Sequence, residues 1–65
     1  MKEFEGKIIK VILNSNSGWM AISGAFIKFE NNLIVINNDL TKKLIFINLD
    51  YIKTIEILGD LKNAK

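Results

Sequence analysis

The stretch GAFIKFENNLIVINN, residues 24–38, has apolar side chains at both odd and even positions on either side of a polar turn. β-branched and aromatic residues favour strands, and an Asn pair between them favours a turn. A strand with one face in water alternates apolar and polar residues, whereas consecutive apolar residues predict burial on both faces. We therefore predict two strands here, with a second face that is shielded by the ends of a barrel or by another molecule.

The rest of the chain has the same pattern of short apolar runs between turn-forming clusters. Strands are predicted at residues 7–13, 19–29, 33–37, 44–48 and 53–58, with one 3₁₀ turn within residues 49–52. Gly24 lies inside the second strand, where a lone glycine marks a bulge or a tight bend, and Gly59 closes the fifth. Five short strands and no helix-length segment predict a single all-β barrel domain over residues 1–65, with residues 59–65 as a polar tail.

Composition predicts self-association. The chain has 65 residues, of which 49% are hydrophobic and twelve are Ile. A domain of this size buries only about 60% of the surface of its unfolded chain, so it needs a disulfide, a metal or a partner. Since Cys and His are absent, disulfides and thiolate or imidazole metal sites are excluded. A homo-oligomer is the remaining solution.

The residue types present do not suggest catalysis. The commonest general base and the commonest soft nucleophile are both missing, and the seven carboxylates are scattered along the chain. We expect no enzymatic activity, no catalytic residue, no cofactor and no metal. No apolar run approaches the roughly 18 residues of a membrane span, and the polar start MKEFEGK is unlike a signal peptide. These features predict a cytoplasmic protein with no membrane partner.

Three segments resemble the motifs of the Sm-like (LSm and Hfq-type) family of small β-barrels. GAFIKFE has Gly24, Phe26, Phe29 and Glu30 at the spacing of the family's Gly-x-Leu-x-x-Phe-Asp motif. NNLIVINN is similar to the Met-Asn-Leu-Val-Leu-Asp-Asp segment that follows, with Asn32 at the Asn position. YIKTIEIL resembles the end of the Hfq-type branch, so the similarity covers roughly residues 6–58.

The resemblance implies a five-stranded antiparallel SH3-type, Sm-like barrel with a short or absent N-terminal helix. It further implies a closed ring, in which strand four of one subunit pairs with strand five of the next. Such rings bind single-stranded RNA at the pore or on a face. The residues that would then contact bases, by hydrogen bonds or by stacking, are Lys28, Asn31, Asn32, Asn48, Trp19 and Tyr51.

Most of these candidates also have a purely structural interpretation. Asn32 is typical of a turn position that needs left-handed backbone geometry, and Asn48 is typical of a cap or a turn. Trp19 fits one end of the barrel as a plug. Tyr51 fits a subunit contact, with its ring packed and its hydroxyl in water.

A second function stays open because the family's RNA-pocket pairs are replaced. Asn48-Leu49 stands where archaeal and eukaryotic members have Arg-Gly, and Leu49-Asp50 is nearest to the Lys-His of the Hfq-type branch. The net charge is only +2, and all nine basic residues are Lys. The alternative hypothesis is a homo-oligomeric protein-interaction or structural module that binds no nucleic acid.

Overall fold

Five antiparallel strands form a single sheet in the order β4-β3-β2-β1-β5. The computed structural model describes residues 2–14 and 20–61. The strands are β1 (Lys7–Leu13), β2 (Met20–Glu30), β3 (Leu33–Asn38), β4 (Leu44–Asn48) and β5 (Ile52–Asp60). Short 3₁₀ turns at Lys2–Phe4 and Leu49–Tyr51 complete the described ranges, in which there is no α-helix. The predicted all-β class with five antiparallel strands is confirmed.

Most strand boundaries agree with those predicted, and β5 is the exception. β1, β4 and the 3₁₀ turn after β4 lie where the sequence predicts them, and β2 and β3 each end one residue later. The prediction that Gly59 closes the last strand is wrong, since Gly59 pairs with Ile8 and Asp60 pairs with Lys7. The ladder continues because a register shift at Leu58 realigns the strands, and the Asp60 carboxylate then forms an ion pair with the Lys7 ammonium.

The hairpin between β2 and β3 has a two-residue loop. Glu30 pairs directly with Leu33, so only Asn31 and Asn32 lie between the strands. Their φ angles are 52° and 65°, and a two-residue loop with both φ angles positive is the type I′ turn that matches the twist of antiparallel strands. Asn tolerates this left-handed region better than most residues, which explains why two of them occur here.

Gly24 marks the point at which β2 changes its main partner. Residues 20–25 of β2 pair with β1, and residues 24–30 pair with β3. A Cβ at Gly24 would lie 2.1 Å from the backbone oxygen of Asn37, so the position has no room for a side chain. The predicted bulge lies a little further on, where the register shifts between Phe26 and Lys28.

The core is a cluster of aliphatic side chains closed by two phenylalanines. Phe4, in the first 3₁₀ turn, packs against Phe26 with ring centroids 5.8 Å apart. The buried members of the cluster are Ile9, Val11, Phe26, Ile34, Ile36 and Ile47. Partly buried side chains from β1, β2, β4 and β5 pack around them, including Ile45 of β4 and Ile55 of β5.

The two strands that are apolar at consecutive positions differ in burial. In β3, Ile34, Val35 and Ile36 are all buried, with Val35 only 1% exposed, so a single chain already covers both faces there. In β4, Ile47 is buried, but Leu44 and Phe46 are exposed. Of the two predicted shields, β3 therefore needs no second molecule, whereas for β4 shielding by another molecule stays a prediction.

The sheet is not closed. The strand order leaves β4 and β5 at opposite edges, and within the described ranges no ladder joins them. A closed SH3-type barrel therefore remains an expectation. No helix in residues 2–14 and 20–61 is both long enough and apolar enough to cross a membrane.

Candidate functional site

Asn32 and Asn48 form a side-chain pair that links two parts of the sheet. Nδ2 of Asn32 donates a hydrogen bond to Oδ1 of Asn48 at 3.2 Å, joining the β2–β3 turn to the end of β4. The backbone supports this contact, because the Leu49 amide donates to the Asn32 carbonyl at 2.9 Å. Both side chains lie at the surface. The structure thus brings together two of the residues that the sequence proposed as RNA contacts.

The orientation of both amides is fixed by a third hydrogen bond. The backbone N–H of Asp50 can only donate, and it lies 2.8 Å from the Asn48 side chain, so the atom that accepts it is Oδ1. The same oxygen accepts from Asn32, whose contacting atom must therefore be Nδ2. This leaves Nδ2 of Asn48 as a donor and Oδ1 of Asn32 as an acceptor that are not used within the pair. Asn48 also caps the second 3₁₀ turn, as its structural interpretation predicted.

An open apolar groove of about 540 Å³, here called the β4 groove, adjoins the Asn pair. It lies between β4, the end of β1 and the start of β2. Its walls include Leu13, Met20, Ile22, Ile45 and Ile47, and its polar groups come from Asn14, Asn48 and Tyr51. No charged side chain among the described residues lines it. The sequence did not predict this groove, because its walls come from four separate segments.

Tyr51 lies at the rim of the β4 groove. Its carbonyl accepts a hydrogen bond of 2.7 Å from the Asn14 amide, which fixes the 3₁₀ turn against the end of β1. Its side chain is 65% exposed. The backbone of Tyr51 is therefore held in place while its ring is available to a partner. The other aromatic candidate, Trp19, lies outside the described residues.

The remaining candidates, Lys28 and Asn31, are not part of this arrangement. The Lys28 ammonium lies 3.5 Å from the Glu30 carboxylate, and the side chain lines a separate groove with Glu5 and Phe29. Its charge is thus partly balanced by its neighbour on β2. Asn31 is an exposed turn residue next to Asn32.

The loop between β3 and β4 is held by hydrogen bonds to Asn38 and has an exposed apolar side chain, Leu40, at its tip. Oδ1 of Asn38 accepts from the amides of Leu40 and Thr41, each at 2.9 Å. Lys42 has a φ of 61° and donates its amide to the Asn38 carbonyl at 2.9 Å. Leu40 is 91% exposed at the tip of this loop.

Among residues 2–14 and 20–61 there is no group of three or more His, Cys, Asp or Glu side chains placed to hold a metal ion. No protein-family model, curated protein or solved structure matches this chain.

Proposed function

We propose that this chain is the subunit of a homo-oligomeric, Sm-like ring that binds single-stranded RNA through the Asn32–Asn48 pair. The observation that carries the proposal is the hydrogen bond of 3.2 Å between these two side chains. The resemblance to the Sm-like family assigns RNA contacts to the same two places, the turn after β2 and the loop after β4. Contact between the two loops would let both amides approach one base.

The barrel is supported by the way in which both edge strands share one core. Ile45 and Ile47 of β4, and Ile55 of β5, pack on a single cluster centred on β1, β2 and β3. In a flat sheet, four spacings of about 4.8 Å would hold β4 and β5 about 19 Å apart. A shared core therefore favours a sheet that is rolled towards a barrel.

The ring is supported by the two free edges. β4 and β5 each have a sheet neighbour on one side only, and each has exposed apolar side chains, Leu44 and Phe46 on β4 and Ile57 and Leu58 on β5. Open edges of this kind favour pairing with another chain. Because the two edges differ, pairing is head-to-tail and closes into a ring when the rotation permits.

The Asn32–Asn48 pair offers a base one donor and one acceptor. Nucleobases carry donors and acceptors next to each other on their edges, and single-stranded RNA exposes those edges. The pair is neutral, so the salt dependence of binding would come from contacts between Lys side chains and phosphates. We expect affinity that falls with increasing salt.

The test is fluorescence anisotropy with short U-rich and A-rich oligonucleotides, comparing wild type with Asn32→Gly. Glycine keeps the positive φ that the turn needs, so the variant removes the amide without disturbing the hairpin. Loss of one or two such hydrogen bonds weakens binding by about 1–3 kcal/mol, roughly fivefold to 150-fold. Asn31→Gly is the matched control, because it changes the same turn but leaves the pair intact.

A second variant, Asn48→Asp, tests the donor. The carboxylate can still accept from the Asp50 amide, so the cap is retained, but it replaces the outer donor by an acceptor with negative charge. We expect this variant to fold and to lose RNA binding. The proposal is contradicted if wild-type protein binds neither oligonucleotide at a protein concentration of about 100 µM. Such a measurement would miss only complexes whose binding free energy is weaker than about −5.5 kcal/mol.

The alternative is a protein-interaction or structural module without nucleic acid. It is favoured by the exposed apolar side chains of β4 and by the pairing of Lys28 with Glu30, which leaves less positive charge for phosphates. Affinity capture from host lysate with and without nuclease separates the two functions. Partners that are held through RNA are lost after digestion, whereas direct protein partners remain.

A further inference from the structure

We propose that the loop between β3 and β4, residues 39–43, binds the surface of a membrane that contains anionic lipids. Leu40 enters the boundary between the head groups and the acyl chains, and Lys42 and Lys43 lie against the lipid phosphates. The inference goes beyond the proposed RNA binding, since it assigns a second partner to another loop. Its last step, the combination of several copies, rests on the ring of the proposed function.

The loop is held in a fixed shape by more hydrogen bonds than those described above. Oδ1 of Asn38 also accepts from the Thr41 hydroxyl at 3.3 Å, and the Asn38 amide donates to the Lys43 carbonyl at 2.9 Å. The Asp39 amide donates to the Ser23 carbonyl of β2 at 3.3 Å, which ties the loop to the sheet. A side chain at the tip is therefore held in the solvent by a preformed frame and loses little freedom when it contacts a partner.

The exposure of Leu40 is unusual for an aliphatic side chain on so ordered a loop. The side chain is 91% exposed, so almost all of its apolar surface can still be removed from water by a partner. Pairing at the free edges leaves it uncovered, because it belongs to neither edge strand. A single protruding side chain needs a pocket of matching shape in a protein, whereas fluid lipid closes around it whatever its shape.

The charge of the loop favours an anionic surface. Lys42 and Lys43 follow the tip and are both exposed, and Asp39 is the one acidic residue among residues 39–43. Two lysines and one aspartate give this segment a net charge of +1. Apolar burial together with attraction to anionic lipids is the combination that holds peripheral proteins at membranes. An RNA strand would pair with the lysines but would leave Leu40 in water.

Contact of this kind does not need a segment that spans the membrane. The sequence predicts no membrane partner because it has no apolar run long enough to cross a bilayer. A spanning chain crosses the hydrocarbon core, whereas a loop of this kind enters only the interface. The lack of a spanning segment is therefore compatible with peripheral binding through Leu40.

A ring would present all of its β3–β4 loops on one face. Equivalent residues of a closed ring are related by rotation about one axis, so every copy of Leu40 lies at the same height. One loop binds only weakly, as a single lipid anchor does, whereas several loops in one plane bind together much more strongly. The six residues of β3, roughly 20 Å, separate the loop from the turn that carries Asn32, so the Asn pair stays available to RNA.

The experiment is cosedimentation of the protein with vesicles of phosphatidylcholine alone or with about 30% phosphatidylserine. We expect binding to the anionic vesicles only, and weaker binding as the salt concentration rises. Leu40→Ser should lower the partition coefficient at least about tenfold, because the apolar contact is lost. Its side chain is largely exposed, so the variant should keep the strand content of wild type in circular dichroism.

A pair of charge variants tests the electrostatic part of the contact. Lys43→Gln should lower the partition coefficient about fivefold or more, because it removes a cation from the loop. Lys2→Gln is the matched control, since it removes the same charge from the first 3₁₀ turn, and its effect should be smaller. Equal effects of the two variants would overturn the assignment of the contact to this loop.

The outcomes separate this inference from the proposed function. If wild-type protein binds neither kind of vesicle, the membrane contact is overturned, whatever the mass of the assembly and its affinity for RNA. If it binds anionic vesicles but no RNA, the proposed function fails and the membrane contact stands. Equal vesicle binding by Leu40→Ser and wild type would overturn the contact. So would a protein partner that is captured through Leu40 while vesicles are not bound.

Discussion

At the scale of single residues, the fold depends on places where the backbone leaves no choice of side chain. Gly24 is the clearest of these, because the carbonyl of Asn37 occupies the space that a Cβ would need. Gly59 lies inside β5, where a Cβ would meet no atom within 4 Å. The two glycines thus form a natural pair for comparison.

We expect Gly24→Ala to lower the free energy of unfolding by at least about 2 kcal/mol, since either β2 or β3 must shift to admit the methyl group. Gly59→Ala should leave stability unchanged or raise it by about 0.5 kcal/mol, because alanine restricts the unfolded chain. Urea denaturation at one fixed protomer concentration measures both. Equal effects of the two substitutions would contradict the close approach at Gly24.

From the sequence, the candidate site could be predicted only where a residue type indicates its own local backbone structure. The two consecutive asparagines Asn31 and Asn32 indicate a turn by residue type alone, and the residue type of Asn48 likewise indicates a cap. That Asn32 and Asn48 share a hydrogen bond depends on the pairing of β3 with β4, which turn chemistry does not specify. The pairing of Lys28 with Glu30 could have been inferred, because residues two apart in a strand lie on the same face.

At the scale of elements, the important feature is that both edge strands have exposed apolar side chains. Ile57 pairs with Ile9, which is fully buried, so the Ile57 side chain points to the core face of the sheet. It is nevertheless 49% exposed, because no strand lies beyond β5. In the proposed ring, β4 of a neighbouring subunit covers it.

We expect Ile57→Lys to reduce the assembly to smaller species, because lysine on an edge strand opposes pairing with another strand. Leu40→Lys is the control, since it adds the same charge at a loop tip away from both edges. Light scattering coupled to size-exclusion chromatography measures the mass, and circular dichroism verifies the strand content. An unchanged mass for Ile57→Lys would argue against assembly through β5.

The ends of the elements were harder to predict than the elements themselves. β1 and β4 were placed correctly because runs of Ile, Leu and Val end at polar clusters. β5 was predicted three residues too short: it begins one residue earlier, at Ile52, and it continues through Gly59 and Asp60, which are residues that normally end a strand. Their place in the ladder depends on Ile8 and Lys7, which are some fifty residues away and invisible to any local pattern.

At the scale of the whole molecule, the described chain buries a continuous core yet leaves ten large hydrophobic side chains exposed. A monomer seldom tolerates a large contiguous apolar patch at its surface. Assembly would cover those on β4 and β5, whereas Leu40 lies in a loop and needs a different explanation. Stability should then depend on how much of the protein is assembled.

We expect the solution mass to be a multiple of 7.4 kDa and the melting temperature to rise with protein concentration, because assembly stabilises the folded chain by mass action. Differential scanning calorimetry over a hundredfold range of concentration measures the second effect. A mass of 7.4 kDa with a constant melting temperature would remove the ring from the proposed function.

The closeness of the two ends of the described chain has a consequence for folding speed. Leu61 donates its amide to the Gly6 carbonyl at 2.9 Å, and among the described strands the pairing of β1 with β5 is the one that joins strands remote in sequence. Pairing β5 with β1 must therefore close nearly the whole chain into a loop, which slows a small β-protein. A circular permutant that joins the ends through a short linker would turn this step into the formation of a local hairpin. If the new ends are placed between β4 and β5, the sheet is a simple meander and should form faster with the same strand pairing.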